Sequence, residues 1–265
     1  MAFASGMTQN IEDAYIYLMD KYRDGDKVYL FGFSRGAYTA RSLGGMLNKC
    51  GLLQKGSNNL VPYASHIYRN KKNDEVAHGF KETFSRDCTP YFIGVWDTVA
   101  SVGFSRLFRR EFSDSVLNPD VKFGYQALAV DEKRWKFKPD IWYSPADAVK
   151  DKQIIEQVWF AGVHSDIGGS YKDPSLSNIS LNWMLRQAQN RDLLIREDEL
   201  SGRDFVPKPC GKLSNSLLPI WWILGWKRRN IPEGSSIHKS VYDRINDCDC
   251  GYNPKNLPKN PIIEE

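Results

Sequence analysis

The sequence predicts an α/β fold, a mainly parallel sheet flanked by helices, on three observations. Three short apolar runs, Val28–Phe31, Tyr91–Trp96 and Ile154–Val163, have the length and residue types of buried strands. Stretches with apolar residues at helical spacing lie between them, and strands alternating with helices build parallel sheets. Each run leads into a residue able to do chemistry: Ser34, Asp97 and His164.

The elements follow in chain order. Ile11, Ala14, Tyr15, Leu18, Met19 and Tyr22 form one helical face, with Asn10 as its expected N-cap and Asp24-Gly25-Asp26 as its stop. Val28–Phe31 reads as a strand buried on both faces, and a second helix carries Ala37, Ala40, Leu43, Gly44 and Leu47 as far as Gly51. Small residues at Gly36, Ala37 and Ala40 are expected to bring that helix close to its strand. Residues 52–90 are polar and irregular, with surface helices expected. Residues 104–120 read as a loop or cap insertion, and Gly124–Val130 as a helix. After the third strand, Ser177 is the expected cap of a helix bearing Leu181, Met184, Leu185 and Ala188. With no repeat and no low-complexity linker, 1–265 is expected to be a single domain, and 205–235 an aromatic and basic flap or peripheral segment.

Bulk properties exclude several classes. A chain of 265 residues with 42% hydrophobic and 26% charged residues has the composition of an ordinary globular protein. Its net charge of +4 is mild, and no basic stripe is interleaved with aromatics, so no nucleic-acid partner is expected. Five scattered cysteines argue for a reducing compartment or inert thiols rather than a disulfide framework. Cys248-Asp-Cys250 with His238 lacks the usual C-x-x-C metal spacing. Neither a signal peptide nor a membrane span is evident, so a cytoplasmic location is expected, with delivery by a secretion system left open.

The first strand runs into Gly32-Phe-Ser34-Arg-Gly36, and a helix follows. That context is the nucleophile elbow, in which a serine sits on a strained strand-to-helix turn. The Arg35 backbone N–H at the helix start would face the negative charge developing on a substrate carbonyl oxygen. Acyl transfer further needs an imidazole to accept the serine proton and a carboxylate to orient it. Working residues of open α/β sheets gather at the carboxyl ends of strands. Ser34, Asp97 and His164 meet that requirement, in the chain order of the α/β-hydrolases. His238 is the alternative base. Asp166 is the alternative carboxylate, although two residues from His164 it more naturally braces the turn. A metal on His164, Asp166 and Asp97 is disfavoured, since only one ligand would be nitrogen.

Several motifs then match a known family. Gly-Phe-Ser-Arg-Gly-Ala with Thr-Ala-Arg-Ser-Leu, Gly-Val-Trp-Asp-Thr-Val, Ala-Leu-Ala-Val-Asp-Glu and Val-Trp-Phe-Ala-Gly-Val-His-Ser-Asp-Ile-Gly-Gly occur in that order. Over about residues 9–244 the chain resembles the α/β-hydrolase domain of the type VI secretion phospholipase effectors. The resemblance implies an α/β-hydrolase-like fold and a triad of Ser34, Asp97 and His164. It also implies hydrolysis of carboxylic esters, at a glycerophospholipid acyl chain in characterised effectors, with no organic cofactor. In one respect the chain departs from the family pattern. Members begin with a strand and an Asp-Gly-Thr-type loop well upstream of the elbow, whereas only 27 residues precede Val28 here. The chain therefore reads as lacking its N-terminal strands, and with them the usual second oxyanion donor.

Leu217–Trp226, followed by Lys227-Arg228-Arg229, is too short to span a bilayer. Trp221, Trp222, Trp226, Lys227, Arg228 and Arg229 together suit a peripheral membrane contact. The bland alternative is that the segment packs onto the domain. The expected function is a serine esterase acting on lipid or small acyl-ester substrates. A truncated or inactive binding module, and a non-lipid esterase or thioesterase, are the alternatives.

Overall fold

The computed structural model describes residues 2–70, 74–99, 116–143, 153–196, 198, 205–217, 219, 221 and 225–265. Most of the expected 104–120 insertion, together with Trp222, lies outside the described residues. Six strands form one sheet in the order β1 (Val28–Phe33), β4 (Pro90–Trp96), β5 (Phe123–Ala129), β6 (Ile154–Phe160), β7 (Ser236–His238) and β8 (Ile262–Glu264). The sheet is mostly parallel, with helices flanking it. In its later part β6 runs parallel to β7 with Val158 opposite Ser236, and β7 runs parallel to β8. A separate antiparallel pair joins β2 (Leu52–Leu53) to β3 (Ser85–Arg86). By internal contacts the chain forms two compact units. One comprises Met1–Ile93, Gly103–Gly124 and Trp142–Ile155; the other comprises Gly94–Val102, Tyr125–Ile141 and Glu156–Glu265.

The first unit is built on α1 (Ala2–Lys21), α2 (Arg35–Cys50), α3 (Val61–Arg69) and α4 (Asp74–Phe84). Helix α1 begins eight residues before the expected Asn10 cap, and Met7, Ile11, Tyr15 and Met19 form its buried stripe. They pack with Leu43, Met46 and Leu47 of α2 and with Ala64, Ile67 and Phe80 of α3 and α4. The polar 52–90 stretch thus contributes core as well as surface, because each of its helices has one apolar face. The turn after α1 closes as expected, with the Asp26 carboxylate accepting the Arg23 N–H at 2.9 Å. Strand β1 departs from expectation. It stands at one end of the order of described strands, and of its apolar run only Val28 is buried while Phe31 is 40% exposed. Among the described strands β1 has a neighbour on one side only, so its unbroken apolar run does not by itself bring full burial.

Two glycines decide how close α2 comes. A Cβ on Gly32 would lie 2.2 Å from the Gly36 carbonyl oxygen, and one on Gly44 would lie 3.0 Å from Ile93 Cδ1. Gly36, expected to matter for close packing, has open space where its Cβ would be.

In the second unit, β5 replaces the helix expected at Gly124–Val130. Gln, Ala and Leu favour helices in isolation, but Gly124–Ala129 are all buried in the sheet, and burial between neighbouring strands overrides propensity. Leu128, Trp159, Ile231, Ile237 and Val241 share one core cluster. After β6 come a short helix α5 (His164–Gly168) and α6 (Ser177–Gln189). Ser177 does not cap α6, since its hydroxyl bonds the Pro174 carbonyl; Trp183 and Met184 form the buried centre of that helix. Cys210 and Cys248 are disulfide-bonded, contrary to the expectation of free thiols, and so tie the 205–217 segment to the end of α7 (Ser240–Asp247). Cys50 and Cys88 fit the inert reading, because burial pushes both thiols up to about 12. No helix among the described residues is long and apolar enough to cross a membrane.

Candidate active site

Ser34 belongs to the first unit and sits between β1 and α2 with φ 56° and ψ −114°. Positive φ is costly for a residue with a Cβ, and such outliers persist where surrounding structure enforces them. The crowding at Gly32 is the local reason for this turn, since only a residue without a side chain lets α2 start so close to the strand. Arg35 is the first residue of α2, and its side chain is exposed. Its backbone N–H belongs to the first helical turn, whose donors lack partners within the helix.

The second unit holds Asp97 and His164 at the ends of β4 and β6. His164 Nδ1 and Asp97 Oδ2 are 2.6 Å apart, and both side chains are almost wholly buried. A carboxylate on Nδ1 places the proton there and makes Nε2 the basic nitrogen. Asp97 also has positive φ, 43°, which turns the chain sharply out of the sheet. Its carboxylate accepts the Ala129 N–H at 3.0 Å and is gripped by Arg229, through Nη1 to Oδ1 at 2.5 Å and Nη2 to Oδ2 at 2.8 Å. Burial alone would push the Asp97 carboxyl up. The Arg229 charge and the hydrogen bonds from His164 and Arg229 outweigh that and hold it well below the usual carboxylate range.

Further groups hold the histidine. The buried Glu132 carboxylate accepts the His164 backbone N–H at 3.2 Å, the Ser216 hydroxyl at 3.1 Å and the Arg134 guanidinium. Phe137 stands edge-on to the His164 ring at 5.1 Å between centroids. Gly162 has φ 136°, and a Cβ there would strike Asp166 at 2.6 Å, so the turn into His164 requires glycine. Asp166 braces that turn as read, accepting the N–H groups of Val163 and Ser214 at 3.0 and 3.1 Å. His238, the alternative base, is buried in β7 and stacked on Phe160 at 4.7 Å, and its Nδ1 faces the Ser240 hydroxyl. Burial, followed by the charges of Arg186 and Lys239, lowers it to about 4.

Sequence reasoning missed Glu132 and Arg229. Glu132 was findable, since it follows β5 as Asp97 follows β4, but reading that strand as a helix hid it. Arg229 carried no signal, because a Lys-Arg-Arg run reads as a solvated surface. The structure corrects the expected membrane contact accordingly: Arg229 and Trp221 are buried, whereas Trp226, Lys227 and Arg228 are exposed.

Comparison with known proteins gives the geometry its family. Residues 1–187 match the family model of the type VI secretion phospholipase effector Tle1-like catalytic domain. The chain belongs to the Tle1-like family. The match takes in Ser34, Asp97, Glu132 and His164 and stops before Arg229 and His238. The chain is also similar to uncharacterized protein YEL023C of Saccharomyces cerevisiae, at 38% identity over 148 residues. That similarity covers 51% of this chain and 21% of the yeast protein, so the chain matches about a fifth of that relative's length.

Proposed function

We propose that the chain is a serine esterase acting on lipid acyl esters. The observation that carries the reading is the buried Asp97–His164 pair, 2.6 Å apart, at two strand ends. It is supported by the strained serine turn and by membership of a phospholipase family. On this reading Ser34 Oγ attacks the ester carbonyl while His164 Nε2 takes its proton, and Asp97 stabilises the imidazolium that forms. The Arg35 N–H donates to the oxyanion. The proton then passes from His164 to the departing alcohol, leaving an acyl-Ser34 ester. Water, deprotonated by His164, releases the fatty acid and restores Ser34. Arg229 distinguishes this arrangement from a plain triad. It shares the Asp97 charge, so the carboxylate stays ionised inside the protein at the cost of part of its pull on the imidazolium.

The test is labelling with a fluorophosphonate together with hydrolysis of an ester series of rising acyl length. Labelling at Ser34, and turnover that falls by roughly 10⁴-fold or more in Ser34→Ala, are expected. Folded protein that neither labels nor hydrolyses any ester would overturn the reading. A preference for the shortest acyl chains would remove its lipid part.

A further inference from the structure

The Cys248-Asp-Cys250 motif has no part in the proposed chemistry. Cys248 is bonded to Cys210, whereas Cys250 keeps a free thiol at the surface. The Cys250 N–H donates to the Cys248 carbonyl at 2.6 Å, which closes a turn between residues two apart. A fully extended chain separates such residues by roughly 7 Å. The turn shortens that step into the Cα range of about 4.4–6.8 Å that a disulfide bridges. A free thiol is thus carried within bonding span of a residue already held in a disulfide. Cys210 and Cys250 are exposed and Cys248 is half-buried, so the bond lies at the surface rather than in a packed core.

Charge around the bond is uneven. Lys208 and Lys212 stand two residues to either side of Cys210, while Asp247 and Asp249 flank Cys248 directly, and all four are exposed. A sulfur leaves a disulfide faster where cations stabilise its thiolate. Attack by Cys250 on Cys248 with departure of Cys210 is therefore favoured over departure of Cys248. In that step the Cys250 thiolate bonds Cys248 Sγ, the Cys210–Cys248 bond breaks, and Cys210 leaves as a thiolate. The proton that Cys250 gives up to water returns at Cys210. One disulfide replaces another, so no oxidant or reductant is consumed.

The swap releases the segment that holds the histidine turn. Residues 205–217 supply the Ser214 N–H to Asp166 and the Ser216 hydroxyl to Glu132, each at 3.1 Å. The buried Arg244 of α7 donates to the carbonyls of Pro209 and Gly211, on either side of Cys210. That grip involves no sulfur. It keeps Cys210 beside α7 once the bond opens, so the exchange can reverse.

We propose that Cys250 is a thiol–disulfide exchange site that makes the Cys210–Cys248 bond a reversible latch on the segment bracing His164. The latch stands apart from the esterase reading and is tested without any ester.

Oxidised protein is treated under native conditions with dilute iodoacetamide and no added thiol, and alkylated and bridged cysteines are mapped by peptide mass spectrometry. Label is expected to divide between Cys250 and Cys210, with a Cys248–Cys250 bridge accompanying label at Cys210. Dilution should leave the Cys210 share unchanged, as exchange within one chain requires. In Cys250→Ser the label at Cys210 should be lost while the melting temperature stays at the wild-type value, since the side chain is exposed. Hydrogen exchange on that same variant reads the latch. Reduction of its Cys210–Cys248 bond by dithiothreitol should speed amide exchange at Ser214 while β6 keeps its protection. Label confined to Cys250, a Cys210 share that falls on dilution, or equal Cys210 label in Cys250→Ser would overturn the exchange. Unchanged Ser214 protection on reduction, or loss of protection in Ser214 and β6 alike, would overturn the latch. Cys210 and Cys248 found unpaired in the purified protein would overturn both.

Discussion

Arg229 meets Asp97 with both nitrogens of its guanidinium fork, and the same fork reaches the carbonyls of Ala129 and Phe137 at 2.9 and 2.7 Å. One side chain thus links the end of β4, the end of β5 and the segment that packs on His164. The ion pair is buried, so its two halves depend on each other: removing either leaves the other charge buried without its counter-charge.

Arg229→Met is therefore expected to lower stability by about 3–5 kcal/mol at pH 7, with Arg229→Lys intermediate because lysine restores charge without the two-point geometry. The sign with pH follows from Asp97. Its folded-state carboxyl lies below the ordinary value, so the pair's contribution is present above about pH 4 and is lost as acid protonates the folded carboxyl. Urea denaturation of both variants at neutral and at strongly acidic pH checks this. A wild-type midpoint for Arg229→Met at neutral pH would show the pair to be energetically idle.

The elbow offers a contrast between its two glycines. Gly32→Ala places a methyl inside the backbone of α2 and should cost about 3 kcal/mol with loss of any Ser34 labelling. Gly36→Ala meets open space on a helix and should be neutral or stabilising by up to about 1 kcal/mol. Melting temperatures of the two variants, measured side by side, decide the matter. Equal losses would contradict the crowding at Gly32.

His238 should make the fold acid-sensitive. Burial lowers it from 6.5 to about 4, so the unfolded chain takes up a proton below pH 6.5 that the folded chain refuses until about pH 4. Stability is fully present above 6.5 and falls on acidification across that window, by roughly 3 kcal/mol at ~1.4 kcal/mol per pH unit. In His238→Gln the fall between pH 6.5 and 4 should be much shallower. Unfolding free energies at several pH values in the two proteins would show it.

The Cys210–Cys248 bond closes a loop with a sequence separation of 38. Chain-entropy reasoning gives about 4 kcal/mol for a loop of that size. Reduction by a dithiol, or Cys210→Ser, should lower the melting temperature accordingly. It should also loosen Ser214 and Ser216, which bond Asp166 and Glu132 beside His164. Unchanged melting on reduction, with thiol titration showing five free cysteines in the denatured starting protein, would refute the bond.

The sequence alone determined the α/β class, the three principal strands, the serine turn and the identity of Ser34, Asp97 and His164 as strand-end residues. These were legible because apolar runs, glycine spacing and chain order are local properties, and strand ends are where such sheets put their chemistry. Only the tertiary structure decided that Gly124–Val130 is a strand, that β1 lies half open at the end of the described sheet, and that Glu132 holds the His164 backbone. It alone turned Arg229 inward onto Asp97 while leaving Lys227 and Arg228 outside. Propensity and charge pattern describe a residue by its neighbours in sequence. Burial and ion pairing depend on neighbours brought in from afar, and Arg229 and Asp97 are 132 residues apart.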